Sequence, residues 1–201
     1  MAIDAGAAAI GLVSSMPSGP GVVDDETIAE IAARVPLGVD SFLLTSRQEP
    51  GAIIDQHRHA RTSALQLVDA LAPGARRELR RDLPGVRLAQ VVHVSGPESV
   101  DEAREAAETS DAILLDSGNP HLKVKELGGT GRAHDWAISV QIREALDIPV
   151  LLAGGLNPEN AADAIAAVRP WALDVCSGLR DARSKLIPDR LAAFAEAVHA
   201  G

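Results

Sequence analysis

The sequence predicts an α/β fold built on a parallel sheet, and three observations carry that prediction. Short, almost wholly apolar runs alternate with amphipathic segments along all 201 residues. The runs show little in-out alternation, as expected of parallel strands buried on both faces. Several of them stop at a carboxylate or a glycine pair, the junctions where such folds gather ligand groups.

The elements follow in order. Ala7–Ser14 reads as a strand, entered through "MAIDAG", which resembles the end of a helix. Asp24–Val35 is a helix opened by an acidic cap. Val39–Thr45 is the second strand and Pro50–His59 a weaker helix, with proline at its first turn. Ala64–Val68 and Val86–Val94 are strands flanking a helix at Pro73–Asp82, and Pro97–Glu108 is the next helix. Ala112–Asp116 is the fifth strand; helix Asp135–Leu146 follows a glycine-rich loop. Pro149–Ala153, helix Asn157–Val168, strand Ala172–Ser177 and helix Pro188–His199 complete the chain. No Pro/Gly/Ser-rich linker interrupts the rhythm, so residues 1–201 are expected to form a single domain. Both an open doubly wound sheet and a (β/α) barrel fit seven such strands.

Composition narrows the function. Two Phe, two Trp and no Tyr leave little with which to stack bases, and a net charge of −9 opposes sustained phosphate-backbone contact. Nucleic acid is therefore not an expected partner. The most basic stretch, Arg76-Arg77-Glu78-Leu79-Arg80-Arg81, has the spacing of a solvated helix face. No apolar run is long enough for a membrane span, and "MAIDAGAAAIGLV" carries Asp4 and no basic start, so neither a membrane nor a signal peptide is expected. A single cysteine, Cys176, fits a reducing compartment and a cytoplasmic location.

Three strand ends carry unusual residues. Asp116 closes "AILLD". Gly154-Gly155 closes "VLLAGG" and leads to Asn157-Pro158, a cap and first turn for the next helix. Ser177-Gly178 closes "LDVCSG". Glycine pairs let backbone N–H groups approach a small anion closely, without any Lys or Arg. Each could instead be only a tight turn; their occurrence on consecutive strands favours function.

The pieces "LLDS", "GGTGRAHDW", "IPVLLAGGLNPENAADAI" and "DVCSG", in this order and spacing, resemble the phosphoribosylanthranilate isomerases of tryptophan biosynthesis. Weaker similarity extends through "AGAAAIGLV" and "SALQLV". The resemblance implies a TIM (β/α)8-type barrel that uses neither cofactor nor metal. It implies an Amadori rearrangement of an aldose-type phosphoribosylamine to the 1-deoxyketose. It assigns Asp116 as general acid, Gly154, Gly155, Ser177 and Gly178 to the substrate phosphate, and Gly128, Gly129, Thr130, Gly131 and Arg132 to a loop over the site. The expected ligand is thus a small phosphorylated ribose-type molecule.

The chain departs from that family in several places. Family members begin with a strand reading approximately Lys-Ile-Cys-Gly, whose Cys is the general base; here the first strand read corresponds to the family's second. Gly19-Pro20-Gly21 stands where the family has Ser-Pro-Arg, the Arg holding the anthranilate carboxylate. Val68 and Asp69 replace a His-Gly pair, and His134 stands where Phe is common. Three residues are weighed as substitute bases: His93 and Asp69 near strand ends, and Cys176, more simply a small buried thiol. His57 and His59 flank Arg58 in an expected surface helix; they do not share a helical face and suggest no metal site. Lys123 and Lys125 read as solvated loop lysines rather than Schiff-base residues. An opened barrel exposes two strand edges, so a homodimer is expected to cover them. A non-catalytic or regulatory phosphate-binding barrel, or an isomerase of another sugar phosphate, stays open beside the isomerase reading.

Overall fold

The computed structural model describes residues 1–17, 21–118, 125, 127 and 135–201. Its centre is a seven-stranded sheet in which sequence neighbours are also spatial neighbours: β1 (Ala9–Val13), β2 (Asp40–Thr45), β3 (Ala64–Leu67), β4 (Arg87–His93), β5 (Ala112–Asp116), β6 (Val150–Leu152) and β7 (Ala172–Leu173). Every pairing is parallel. A doubly wound sheet reverses its strand order partway, whereas this order never reverses. The strand order is that of a (β/α) barrel, as the resemblance implied, with seven strands among the described residues.

Among the described residues seven α-helices accompany it: α1 (Asp25–Ala32), α2 (Pro50–Ala60), α3 (Ala75–Asp82), α4 (Ser99–Ala107), α5 (Trp136–Ala145), α6 (Ala161–Val168) and α7 (Pro188–Ala200). Local chemistry sets several of their starts. Asp24 accepts the Thr27 N–H at 2.7 Å to cap α1, Asp135 accepts the Ala137 N–H at 2.9 Å to cap α5, and Pro50 and Pro188 open α2 and α7.

The helices share one face of the sheet. Leu12, Leu43, Leu65, Leu67 and Leu88 pack with Ile28 of α1, Ile53 and Ile54 of α2 and Leu79 of α3. Val92, Ile113, Leu115, Val150 and Leu152 pack with Ala103 and Ala106 of α4, Ile142 of α5, Ala161 and Ala164 of α6 and Phe194 of α7. The opposite face holds a smaller cluster, Val68, Val91, Leu114 and Ala153, against which Leu44, Leu151 and Met16 pack. Strand side chains alternate between these faces, so the small cluster is the barrel interior. On β1 the inward positions Ala9 and Gly11 are exposed, and β1 and β7 form no pairing among the described residues.

Some expectations shift. The opening residues make a short 3-10 helix at Ile3–Ala5, and β7 ends at Leu173, its ladder shortened because only β6 supports it. Residues Ser177–Leu179 form a second 3-10 turn. Helix α6 starts at Ala161 rather than Asn157, although Asn157 Oδ1 still accepts the N–H groups of Glu159 and Asn160 at 2.9 and 3.1 Å. The arginine run of α3 is not wholly solvated. Arg76 donates to Thr109 and Gln90, and Arg80 donates to the Thr109 carbonyl and to Asp111. His57, placed on a surface helix by the sequence, is buried, its Nε2 2.8 Å from the Thr62 carbonyl; burial depresses its pKa.

Asp111 joins two elements at once. One carboxylate oxygen accepts from Arg80 Nη2 and the other from the Leu88 N–H at the start of β4, both at 2.8 Å. Asp111→Ala is expected to destabilise the protein by about 1–3 kcal/mol, because a strand N–H loses its acceptor. Urea unfolding of the two proteins measures the difference.

Candidate active site

Register brings the candidate groups together. His93 and Asp116 are paired residues on β4 and β5. Leu115, Leu152 and Leu173 lie side by side on β5, β6 and β7. One residue further stand Asp116, Ala153 and Asp174. Ala153 N donates to the Leu115 carbonyl at 2.7 Å and Asp174 N to the Leu152 carbonyl at 2.8 Å, which carries the ladder through that level. Leu115 and Leu152 belong to the outer core with Leu173 packed against it, so the next residues face the interior. His93, Asp116, Ala153 and Asp174 therefore make one layer at the carboxyl ends of the strands, where barrels of this kind carry their sites.

Asp116 is 7% exposed and takes the Ser117 N–H on Oδ1 at 2.8 Å. Its neighbour His93 has Nε2 3.0 Å from the Val68 carbonyl. A carbonyl only accepts, so Nε2 carries a proton, and Nδ1 is buried with no partner among the described residues. Asp174 was not singled out in the sequence. As a residue it is half-buried, but its carboxyl lies deep among protein atoms. Burial, with the charge of Asp116 adding to it, pushes its pKa up to about 6. The available signal was position: in "LDVCSG" Asp174 lies two residues before Cys176 and so on the same inward face.

The glycine junctions meet beside this layer. Gly154 and Gly155 have φ of +82° and +66°, and a Cβ on Gly154 would come within 3.0 Å of Ser117. A Cβ on Gly178 would stand 1.9 Å from the Leu156 carbonyl oxygen, so the β7 loop lies directly against the β6 loop. Side chains brace this contact: Asn157 and Asn160 both donate to the Gly155 carbonyl, and Arg190 of α7 donates to the Gly178 carbonyl at 2.7 Å and pairs with Glu159. None of the N–H groups of Gly154, Gly155, Ser177 and Gly178 donates to another described residue. Two adjoining loops with uncommitted donors suit a small anion.

The other candidates separate. Asp69 is 7% exposed and forms an ion pair with Lys125 at 2.5 Å, so Lys125 is not the free loop lysine the sequence suggested. Cys176 is a partly exposed free thiol on the inward side of the β7 segment. Gly21 is exposed with φ +84°. Gly128, Gly129, Thr130, Gly131 and Arg132 lie outside the described residues, as do Gly19, Pro20, Lys123 and His134. Among the described residues no group of three or more His, Cys, Asp or Glu is arranged to hold a metal ion, and no helix is long and apolar enough to cross a membrane.

The raised Asp174 pKa has a consequence for stability. Its folded value of about 6 lies above the ordinary aspartate value of 3.8, so folding favours the protonated form. The associated stability is complete below pH 3.8 and is lost as pH rises through about 6. Asp174→Asn is expected to be the more stable protein at pH 8, by roughly 2 kcal/mol, with the advantage vanishing near pH 4. Paired urea titrations at the two pH values test this.

Sequence and structure comparisons agree. A family model described as N-(5'phosphoribosyl)anthranilate (PRA) isomerase matches residues 2–182. The N-(5'-phosphoribosyl)anthranilate isomerase of Methanocella arvoryzae is 36% identical over 180 residues, which is 90% of this chain and 82% of that protein. The crystal structure of phosphoribosyl anthranilate isomerase from Thermotoga maritima superimposes with a TM-score of 0.84 at 28% identity, covering 100% of this chain and 92% of that one. A phosphoribosyl anthranilate isomerase in complex with reduced 1-(o-carboxyphenylamino)-1-deoxyribulose 5-phosphate gives a TM-score of 0.81 at 26% identity, covering 100% and 91%. With this barrel-type strand order, the inward carboxylate at the end of β5 and the matched length, the chain belongs to the N-(5'-phosphoribosyl)anthranilate isomerase family.

Proposed function

We propose that this chain, acting as a single domain in the cytoplasm, isomerises N-(5'-phosphoribosyl)anthranilate to the 1-deoxyribulose form in tryptophan biosynthesis. The observation that carries the reading is the inward Asp116 beside two braced glycine loops, in a chain whose family acts on this substrate. The Gly154–Gly155 and Ser177–Gly178 junctions hold the 5'-phosphate through backbone N–H groups, which fixes orientation without entering the bond changes. Asp116 acts as the general acid and donates to the furanose ring oxygen. The ring C1'–O4' bond breaks and an open iminium results. The reaction moves protons only, so no cofactor is called upon. Gly128–Gly131 and Arg132 are assigned, by resemblance alone, to the loop over the substrate.

Gly21 favours a second reading. Where the family has an arginine for the anthranilate carboxylate, this position offers no charge, which weakens the anthranilate end of the site. A phosphate-ligand-binding barrel without turnover would tolerate that loss.

The decisive assay follows the loss of phosphoribosylanthranilate fluorescence. The purified chain is expected to turn over, and Asp116→Asn to lower kcat at least 100-fold with little change in KM. Binding of reduced 1-(o-carboxyphenylamino)-1-deoxyribulose 5-phosphate without any turnover would establish the second reading instead. We also propose that copies of the chain associate, because β1 and β7 have unpaired edges among the described residues. Light scattering on a sizing column is expected to give twice the chain mass of 20.9 kDa, and a stable monomer removes the proposal.

A further inference from the structure

We propose that Arg190, on helix α7 outside the sheet, is a positioning residue for the anion grip: by holding the Gly178 carbonyl it fixes the backbone N–H groups that take the ligand's phosphate. The inference rests on the phosphate site proposed above, which the isomerase and binding-barrel readings share, and names the side chain on which that site depends. Gly178 has no room for a Cβ beside the Leu156 carbonyl, so the position is restricted to the residue with most backbone freedom to lose. Two peptide planes meet at its Cα. In the plane before it, the Ser177 carbonyl accepts the Arg180 N–H at 3.1 Å. A trans peptide sets C=O and N–H on opposite sides, so the Gly178 N–H points away from that contact. In the plane after it, the Leu179 N–H reaches the Cys176 carbonyl at 3.2 Å, and the shorter tie is Arg190 Nε on the Gly178 carbonyl at 2.7 Å. With both planes held, the conformation of Gly178 is set before any ligand arrives, and its ordering is not charged to binding.

The same guanidinium reaches the other loop. Its Nη2 lies 3.1 Å from Glu159 Oε2, in the segment that follows Gly154 and Gly155. One planar fork thus grips a carbonyl of the β7 loop and a carboxylate of the β6 loop, which a lysine ammonium, a single point donor, does less well. The β6 loop is tied in a similar manner. Asn157 and Asn160 donate to the Gly155 carbonyl at 3.3 and 3.1 Å, which turns the Leu156 N–H the other way. Leu156 is 2% exposed, and its N–H donates to no described residue. Buried backbone N–H groups without a partner are rare, so this one belongs with the uncommitted donors of the two glycine junctions.

Helix chemistry alone gives no reason for an arginine at position 190. It stands in the first turn of α7, where a cation opposes the helix dipole. Its partners account for it: both lie on the loops that carry the grip. Its charge behind the β7 loop also favours an anion in front of it, which matters in a chain of net charge −9. Arg180 separates the two effects, because it puts a second cation on the same loop while its Nη1 donates only to the Ser184 carbonyl, at 2.8 Å.

The test measures, by calorimetry, how the full chain binds reduced 1-(o-carboxyphenylamino)-1-deoxyribulose 5-phosphate and the same molecule without its phosphate. Arg190→Ala, Arg190→Lys, Glu159→Gln and Arg180→Ala are compared, each checked for folding by circular dichroism. Arg190→Ala is expected to weaken the phosphorylated ligand by about tenfold and the dephosphorylated one hardly at all. Arg190→Lys recovers part of the loss, Glu159→Gln shows a smaller one, and Arg180→Ala stays near wild type. In the fluorescence assay the loss appears in KM rather than kcat. Unchanged binding of the phosphorylated ligand by Arg190→Ala, or an equal loss for both ligands, overturns the role of Arg190 and leaves the phosphate site standing. A loss as large in Arg180→Ala assigns the effect to charge alone and overturns the positioning role. Wild-type protein that binds both ligands equally removes the phosphate site and this proposal together. If Arg190→Ala does not fold, Arg190→Lys and Glu159→Gln decide by the same comparison.

Discussion

The constraint on which this molecule depends is the unbroken parallel register from β1 to β7. Side chains along a strand alternate between faces, so a slip of one residue exchanges the whole inward set for the outward one. With the observed register, Asp116 and Asp174 point into the barrel while Leu115, Leu152 and Leu173 meet the helices. A single-residue slip in β5 would bury a carboxylate against Ile142 and expose Leu115 to the interior. The hydrophobic cost of that exchange, several buried aliphatic side chains at about 1.5–3 kcal/mol each, locks the register. The chemistry of the site is thus protected by packing on the far side of the sheet.

A second dependence links the two glycine loops. Gly178 has no room for a Cβ beside the Leu156 carbonyl, and Arg190 holds the Gly178 carbonyl from behind. The loops after β6 and β7 are consequently one assembly, pinned by α7 and by the paired asparagines Asn157 and Asn160. That rigidity matters more for an anion grip made of backbone N–H groups than for one made of lysines. Backbone donors cannot reorient to follow a displaced phosphate, so their loop must be held in place beforehand.

Much of this was legible from the residues. The strands announce themselves as apolar runs, and Asp116 as a carboxylate ending such a run. The curl was not legible, because alternation of strands and helices is common to sheets covered on one face and on both. The need for glycine at position 178 was also hidden, since it comes from the Leu156 carbonyl, far back in sequence. His57 looked like a surface residue because its partner, the Thr62 carbonyl, appears only once the helix has ended in a left-handed turn at Arg61. Asp174 was passed over for a related reason. A lone Asp inside "ALDVCSG" carries no motif of its own, and its meaning arises from Ala153 and Asp116 at the same level on neighbouring strands.

The carboxyl pair also ties the outer edge of β7 to the candidate site. Asp174 stands on the segment after β7, an edge with no partner strand among the described residues, and desolvation is the larger part of what raises its pKa. Anything that covers this edge removes more water from the carboxyl and pushes the pKa higher; anything that wets it lowers the pKa towards an ordinary aspartate. The barrel therefore holds a costly group where its cost depends on closure, and proton affinity at the site rises as the edge becomes drier. An aliphatic residue at 174 would stabilise the barrel and disconnect that dependence, since it has no charge to desolvate.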